Sequence, residues 1–164
     1  MKRYSLAVFL FVCAAPLFAQ RSGSTLVNGR IDYDSAGVPQ SIQFRAHQHD
    51  SEPVTGDISF DGTVETSPGV FTNVSFTVTL DCLATAINRA ALSGVITSSS
   101  EPSLVGQRSL LAVEDNGQGN NSPPDRYAWY PLTADNCVTF PLVTATLQDV
   151  PSGHVHIKAS NTPF

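Results

Sequence analysis

The sequence predicts an all-β fold: a two-sheet sandwich of immunoglobulin-like general architecture, with a small β-barrel as the alternative. Three observations predict it. Apolar and polar residues alternate with period two through most of the chain, clearest from Val70 to Leu80. Clusters of Gly, Pro, Asp, Asn and Ser separate the alternating runs at short intervals. Only Cys82 to Ala91 has any helical character, and it reads better as a hairpin turning at Asn88.

The elements follow in order. Thr25 to Tyr33 is the first strand, closed by the turn Asp34-Ser35-Ala36-Gly37. In Ser41 to His49, Ile42, Phe44 and Ala46 face one way and Gln43, Arg45, His47 and His49 the other. Ile58 and Phe60 alternate with Asp57, Ser59 and Asp61 before Ser67-Pro68-Gly69 turns the chain. Val70, Thr72, Val74, Phe76, Val78 and Leu80 then line one face of a half-buried strand, opposite Phe71, Asn73, Ser75, Thr77 and Thr79. Leu92, Gly94 and Ile96 alternate with Ser93, Val95 and Thr97. Gln107 to Val113, Arg126 to Tyr130, Leu142 to Gln148 and His154 to Ala159 complete a set of about nine short strands. Glu114 to Asp125 is the longest irregular stretch, long enough to bind, gate or clasp something.

An export segment precedes this domain. Lys2 and Arg3 form a basic n-region, Tyr4 to Ala19 is apolar and uncharged, and Leu17-Phe18-Ala19 offers a cleavage site. The reading is a cleaved signal peptide at 1–19, a loose leader at 20–24 and a single β domain at 25–164. Loss of Lys2 and Arg3 leaves 14 acids against 7 bases, a net charge of -7. That balance argues against a nucleic-acid partner, and no second apolar run suggests membrane insertion once the signal is removed. The chain is expected to be secreted or periplasmic. There, the two remaining cysteines, Cys82 and Cys137, are expected to form a disulfide.

Two constellations could carry chemistry. All four histidines stand in His-x-His pairs, His47 with His49 and His154 with His156. On a strand, residues two apart share a face, so each pair offers two imidazoles of the kind that ligate Zn or Cu. His47, His49 and Glu52 resemble the first motif of cupin enzymes, and Pro151, Gly153 and His156 the second. That resemblance implies a metal-dependent enzyme. The strand phase opposes it, because Ala46 and Val155 point inward and so turn all four imidazoles to solvent, whereas a cupin site faces the barrel interior. The second constellation is the polar loop, in which Glu114, Asp115, Asn116, Asn120 and Asp125 supply the hard oxygens that suit Ca²⁺. No Gly-x-Ser-x-Gly, phosphate-binding glycine loop or His-Glu-x-x-His is present.

Three stretches carry a wider resemblance: Phe44 to His49 with Gly56 to Phe60, Cys82-Leu83 with Asn88 to Thr97, and Val113 to Gly117 with Pro123 to Arg126. Together they resemble an uncharacterised family of small exported bacterial β-domains, found alone or appended to surface-anchoring proteins. The resemblance implies an exported all-β module with no known activity, sharing the cysteine bridge and the acidic loop. The functional expectation is therefore a non-catalytic module, binding or structural, with an unknown protein or cell-surface partner and with Ca²⁺ at the 114–125 loop. A metal-binding protein or cupin-like enzyme built on the histidine pairs is the alternative.

Overall fold

Among the described residues nine strands form, most of them where the alternation places them: β1 (Ser24–Ser35), β2 (Val38–His49), β3 (Thr55–Ser67), β4 (Val70–Ala86), β5 (Arg89–Ser99), β6 (Arg108–Glu114), β7 (Arg126–Tyr130), β8 (Gln148–Asp149) and β9 (Ser152–Ala159). A computed structural model describes residues 23–119 and 121–159. The expected signal peptide and residues 20–22 of the leader lie outside the described residues. A single 3₁₀ turn, Pro102–Leu104, follows β5.

Every strand from β1 to β8 pairs antiparallel with its neighbour in sequence, and β9 pairs with β1. The nine thus make one sheet of order β8-β7-β6-β5-β4-β3-β2-β1-β9. This corrects the two-sheet sandwich, and the reason lies in the connections. Tight two-residue hairpins such as Ala36-Gly37, both at positive φ, join β1 to β2, β3 to β4 and β4 to β5, and the longer connections as far as β8 also return the chain to the neighbouring strand of the same sheet.

The edges of this sheet are β8 and β9, and only Val150 and Pro151 separate them in sequence. A flat sheet of nine strands would hold its edges about 38 Å apart. Two residues bridge roughly 11 Å at most. The sheet therefore has to curl, and it forms a half-barrel with the two edges drawn together. Gly153 makes the crossing feasible, since its φ is +117° and a Cβ there would stand 2.0 Å from the Arg30 carbonyl oxygen.

Curling turns the apolar face of every strand inward. Val27, Ile31, Ile42, Ile58, Val78, Leu92 and Ile96 are completely enclosed. Each contributes about 1.5–3 kcal/mol over the exposed state. Aromatic side chains span the hollow: the Phe60 ring lies 5.6 Å from Trp129 of β7, and Tyr33 of β1 lies 5.5 Å from Tyr127 of β7.

A second, smaller core sits outside the sheet. Ala91, Leu110 and Ala112 face outward from β5 and β6, yet they are buried beneath Cys137, Leu142 and Leu147. The chain between β7 and β8 is laid across them as a strap. Leu142 to Gln148 was expected to be a strand, but only Gln148 pairs in a ladder. The Pro141 carbonyl accepts the Ala145 N–H, and the Arg89 guanidinium donates to the carbonyls of Leu142, Val143 and Ala145, so these groups are spent in turns and on a side chain. The Cys82–Cys137 disulfide fastens the strap to β4, and the Cys137 N–H donates to the buried Ser93 hydroxyl at 3.1 Å. This cover explains why Ser93 is buried although the alternation placed it on the polar side.

Candidate functional site

The 114–125 loop is built around two aspartates. Asp115 follows β6 directly, and one of its carboxylate oxygens accepts the Gly117 N–H at 2.8 Å, forming a local Asx turn. Its other oxygen accepts the Ile157 N–H of β9, also at 2.8 Å. Asp125 repeats the arrangement from the far end of the loop, accepting the Asn116 N–H at 2.9 Å and the Val155 N–H at 2.8 Å. The free edge of β9 thus has two backbone donors satisfied by carboxylates in place of a tenth strand. The loop is the clasp across the gap in the half-barrel wall.

Asn116, the Asp115 carbonyl and Glu114 are engaged as well. Asn116 donates to the Pro124 carbonyl at 2.7 Å, and Asn88 donates to the Asp115 carbonyl and to the Asn116 side chain. Glu114 forms an ion pair with Arg89 at 2.7 Å, its side chain 12% exposed. Of the oxygens offered for Ca²⁺, all four of Asp115 and Asp125 already hold N–H donors. Asn120 lies outside the described residues.

The histidines occupy the outer face, as the strand phase required. His47 and His49 lie on β2, and His154 and His156 on β9, with β1 between them. Register fixes their spacing. His47 stands opposite Leu26 of β1, while His156 stands opposite Asn28. Two strand widths across and two residues along separate the Cα atoms of His47 and His156 by about 12 Å. His49 and His154 are farther apart still, opposite Ser24 and Arg30. Each pair is held together, but the structure does not bring the two pairs to one point. Among the described residues no group of three or more His, Cys, Asp or Glu side chains is placed to hold a metal ion. Two imidazoles lie near carboxylates: His49 Nδ1 is 3.2 Å from Asp50, and His156 Nδ1 is 3.8 Å from Asp115.

The same face collects the cations. Arg45 on β2, Arg30 on β1 and Lys158 on β9 all point outward with the imidazoles. Arg30 donates to Asp32 at 2.7 Å, which holds that carboxyl below its ordinary range. Arg45 and Lys158 have no carboxylate within ion-pair distance among the described residues. The other arginines among the described residues serve the scaffold: Arg89 holds Glu114, Arg108 grips Asp81 through two bonds of 2.7 and 2.8 Å, and Arg126 lies 3.5 Å from Asp149.

Beside this region the outer face of β2 to β5 carries open hollows lined by Ser41, Ser59, Ser75 and Thr77, and Asp61 borders three of them. Beside the hollows Thr79 and Thr97 pair across strands at 3.0 Å.

Sequence reasoning missed Arg89 and Ser93, which together hold the strap. The only available signal was a charged and a polar residue flanking an apolar run, a pattern shared by many exposed strands. Comparison of the chain with protein families, with characterised proteins and with solved structures found no match.

Proposed function

We propose that this chain is an exported, non-catalytic binding module whose ligand rests on the outer face of β2, β1 and β9. One observation carries the reading. Of the described arginines and lysine, those that hold the scaffold lie elsewhere, while Arg30, Arg45, Lys158 and all four histidines share this single face. Long polar side chains in register on three adjacent strands form a contact surface and contribute little to the fold beneath them. The loop expected to bind an ion serves closure instead, which leaves the sheet face as the better candidate. Export, the disulfide and the resemblance to small exported β-domains are consistent with a role outside the cytoplasm.

A glycan array of neutral and charged oligosaccharides tests the reading. The purified protein is compared with a face variant, His47→Ala/His156→Ala, and with a remote one, Phe71→Ser, at an exposed position beside the β3–β4 turn. At least one glycan should be retained by the native and remote proteins and lost by the face variant. An empty array, or loss of binding in the remote variant alone, would overturn the proposal.

A further inference from the structure

We propose that two copies of this chain associate through the end of β4, pairing edge to edge across a two-fold axis. The contact goes beyond the binding-module reading and uses a different surface. It begins where β4 parts from β3. Their ladder ends with Asp57 opposite Thr79, yet β4 runs on to Ala86. Two features separate the strands. Gly56, at φ +130°, keeps the start of β3 on β2, opposite Ala46. The register shift between Leu80 and Cys82 swings β4 away with β5. From Cys82 to Ala86, β4 is therefore paired on its β5 side alone. Among the described residues no loop backbone bonds to its other side.

Backbone chemistry selects the class of partner. A row of unpaired N–H and C=O groups along an extended segment is matched by a second extended polypeptide, which carries the same repeat. Glycans and nucleic acids do not. The fold also treats its edges unequally. On β9, Asp115 and Asp125 occupy two edge donors, and β8 pairs over only two residues. The open stretch of β4 has none of the usual protection: Cys82 to Ala86 contains no charge and no proline.

Side chains select a second copy. The chain carries 14 acids against 9 bases, so its copies approach most easily where no charge stands. Antiparallel pairing about Thr85 sets Ala84 opposite Ala86 and Leu83 opposite Ile87, each twice by symmetry. The alanines are small enough for close approach. Leu83 is only half-buried against the main core. Ile87 is 95% exposed, and its φ of +60° is one that two-residue hairpin turns give to glycine. A β-branched side chain there is strained and gains nothing within one copy. Across the axis it covers the other copy's Leu83, so one hairpin supplies both the projecting group and the surface that receives it. Val143, 66% exposed, stands by the same turn through the bond from Arg89 to its carbonyl and widens the apolar rim. The two Asp81 carboxylates fall eight positions out of step, about 27 Å apart along the strands.

A ladder of about five pairs is a small contact, so the dimer should be reversible. Sedimentation equilibrium of the purified protein should give a Kd of roughly 100 µM or tighter. Thr85→Lys, which sets two like charges on the axis, should weaken association at least tenfold with an unchanged circular-dichroism spectrum. Ile87→Gly should also weaken it, while the urea midpoint of the monomer holds or rises, because glycine accepts the positive φ. A purely structural role for Ile87 would not separate these two readouts. Under mild oxidation Thr85→Cys should cross-link into a dimer, and Ser67→Cys, at the β3–β4 turn, should not. A protein that is monomeric at about 100 µM, a dimer indifferent to both Thr85→Lys and Ile87→Gly, or cross-linking no better through position 85 than through position 67 would overturn the proposal. So would a monomer that dimerises only after deletion of residues 160–164, since the chain's own end would then be the occupant of the edge.

Discussion

A carboxylate that accepts two backbone N–H groups does what a neighbouring strand does, with one side chain. Asp125 bonds to Asn116 and to Val155, and it is partly buried. Charge-assisted bonds of this kind contribute roughly 1.5–3 kcal/mol each. Asp125→Ala should lower the unfolding free energy by about 3 kcal/mol or more, and Asp125→Asn, which keeps one acceptor, by about half as much. Urea denaturation followed by tryptophan fluorescence measures both, and equal stability of all three proteins would refute the clasp. Tyr33 and Tyr127 lie on either side of the closing gap, and burial raises the pKa of both phenols. For a raised pKa the stabilising contribution is whole below the unfolded value, near 10 for tyrosine, and is lost as pH rises toward the folded value. Stability should therefore fall above about pH 10, with absorbance at 295 nm showing these two phenols ionising only as the chain unfolds. The sequence marked the loop as special by its three carboxylates and paired glycines. It could not say whether those oxygens faced an ion or a strand edge, because acceptor chemistry is the same for both.

At the scale of elements, the period-two alternation matches most of the strands. Val74, Phe76 and Val78 are buried as expected, Val70 of the same face is exposed beside the β3–β4 turn, and the turn at Asn88 separates β4 from β5. Leu142 to Gln148 failed because its apolar residues plug an outer surface, where spacing need not follow a strand period. The strap that contains them depends on its fastenings. The disulfide closes a span of 55 residues, for which chain entropy alone gives about 4 kcal/mol. Cys82→Ser/Cys137→Ser should lower stability by about that amount, or less if the denatured chain retains structure. The loss should begin locally. Limited proteolysis of the reduced protein should cut first between 131 and 147, since release of the strap exposes only the smaller core and leaves the main ladder paired. First cleavage in β1 to β4 would show that the strap is not the weakest unit.

For the whole molecule, the decisive feature was invisible to any local window. Whether strands stack in two layers or curl in one depends on which edges meet, and here the answer rests on the two residues between β8 and β9. The histidines show the same limit. Their outward phase was legible, because it follows from Ala46 and Val155 being inside. Their separation required register across β1, which no single strand encodes. The pairing of β1 with β9 has a mechanical corollary. Thr25 lies opposite Ala159, so the polypeptide enters and leaves the ladder at one corner. Tension applied between those two points peels hydrogen bonds apart one after another, as a zip opens, without shearing the whole row at once. A module strung within a larger surface protein by these ends would give way early under load, acting as a weak mechanical fuse.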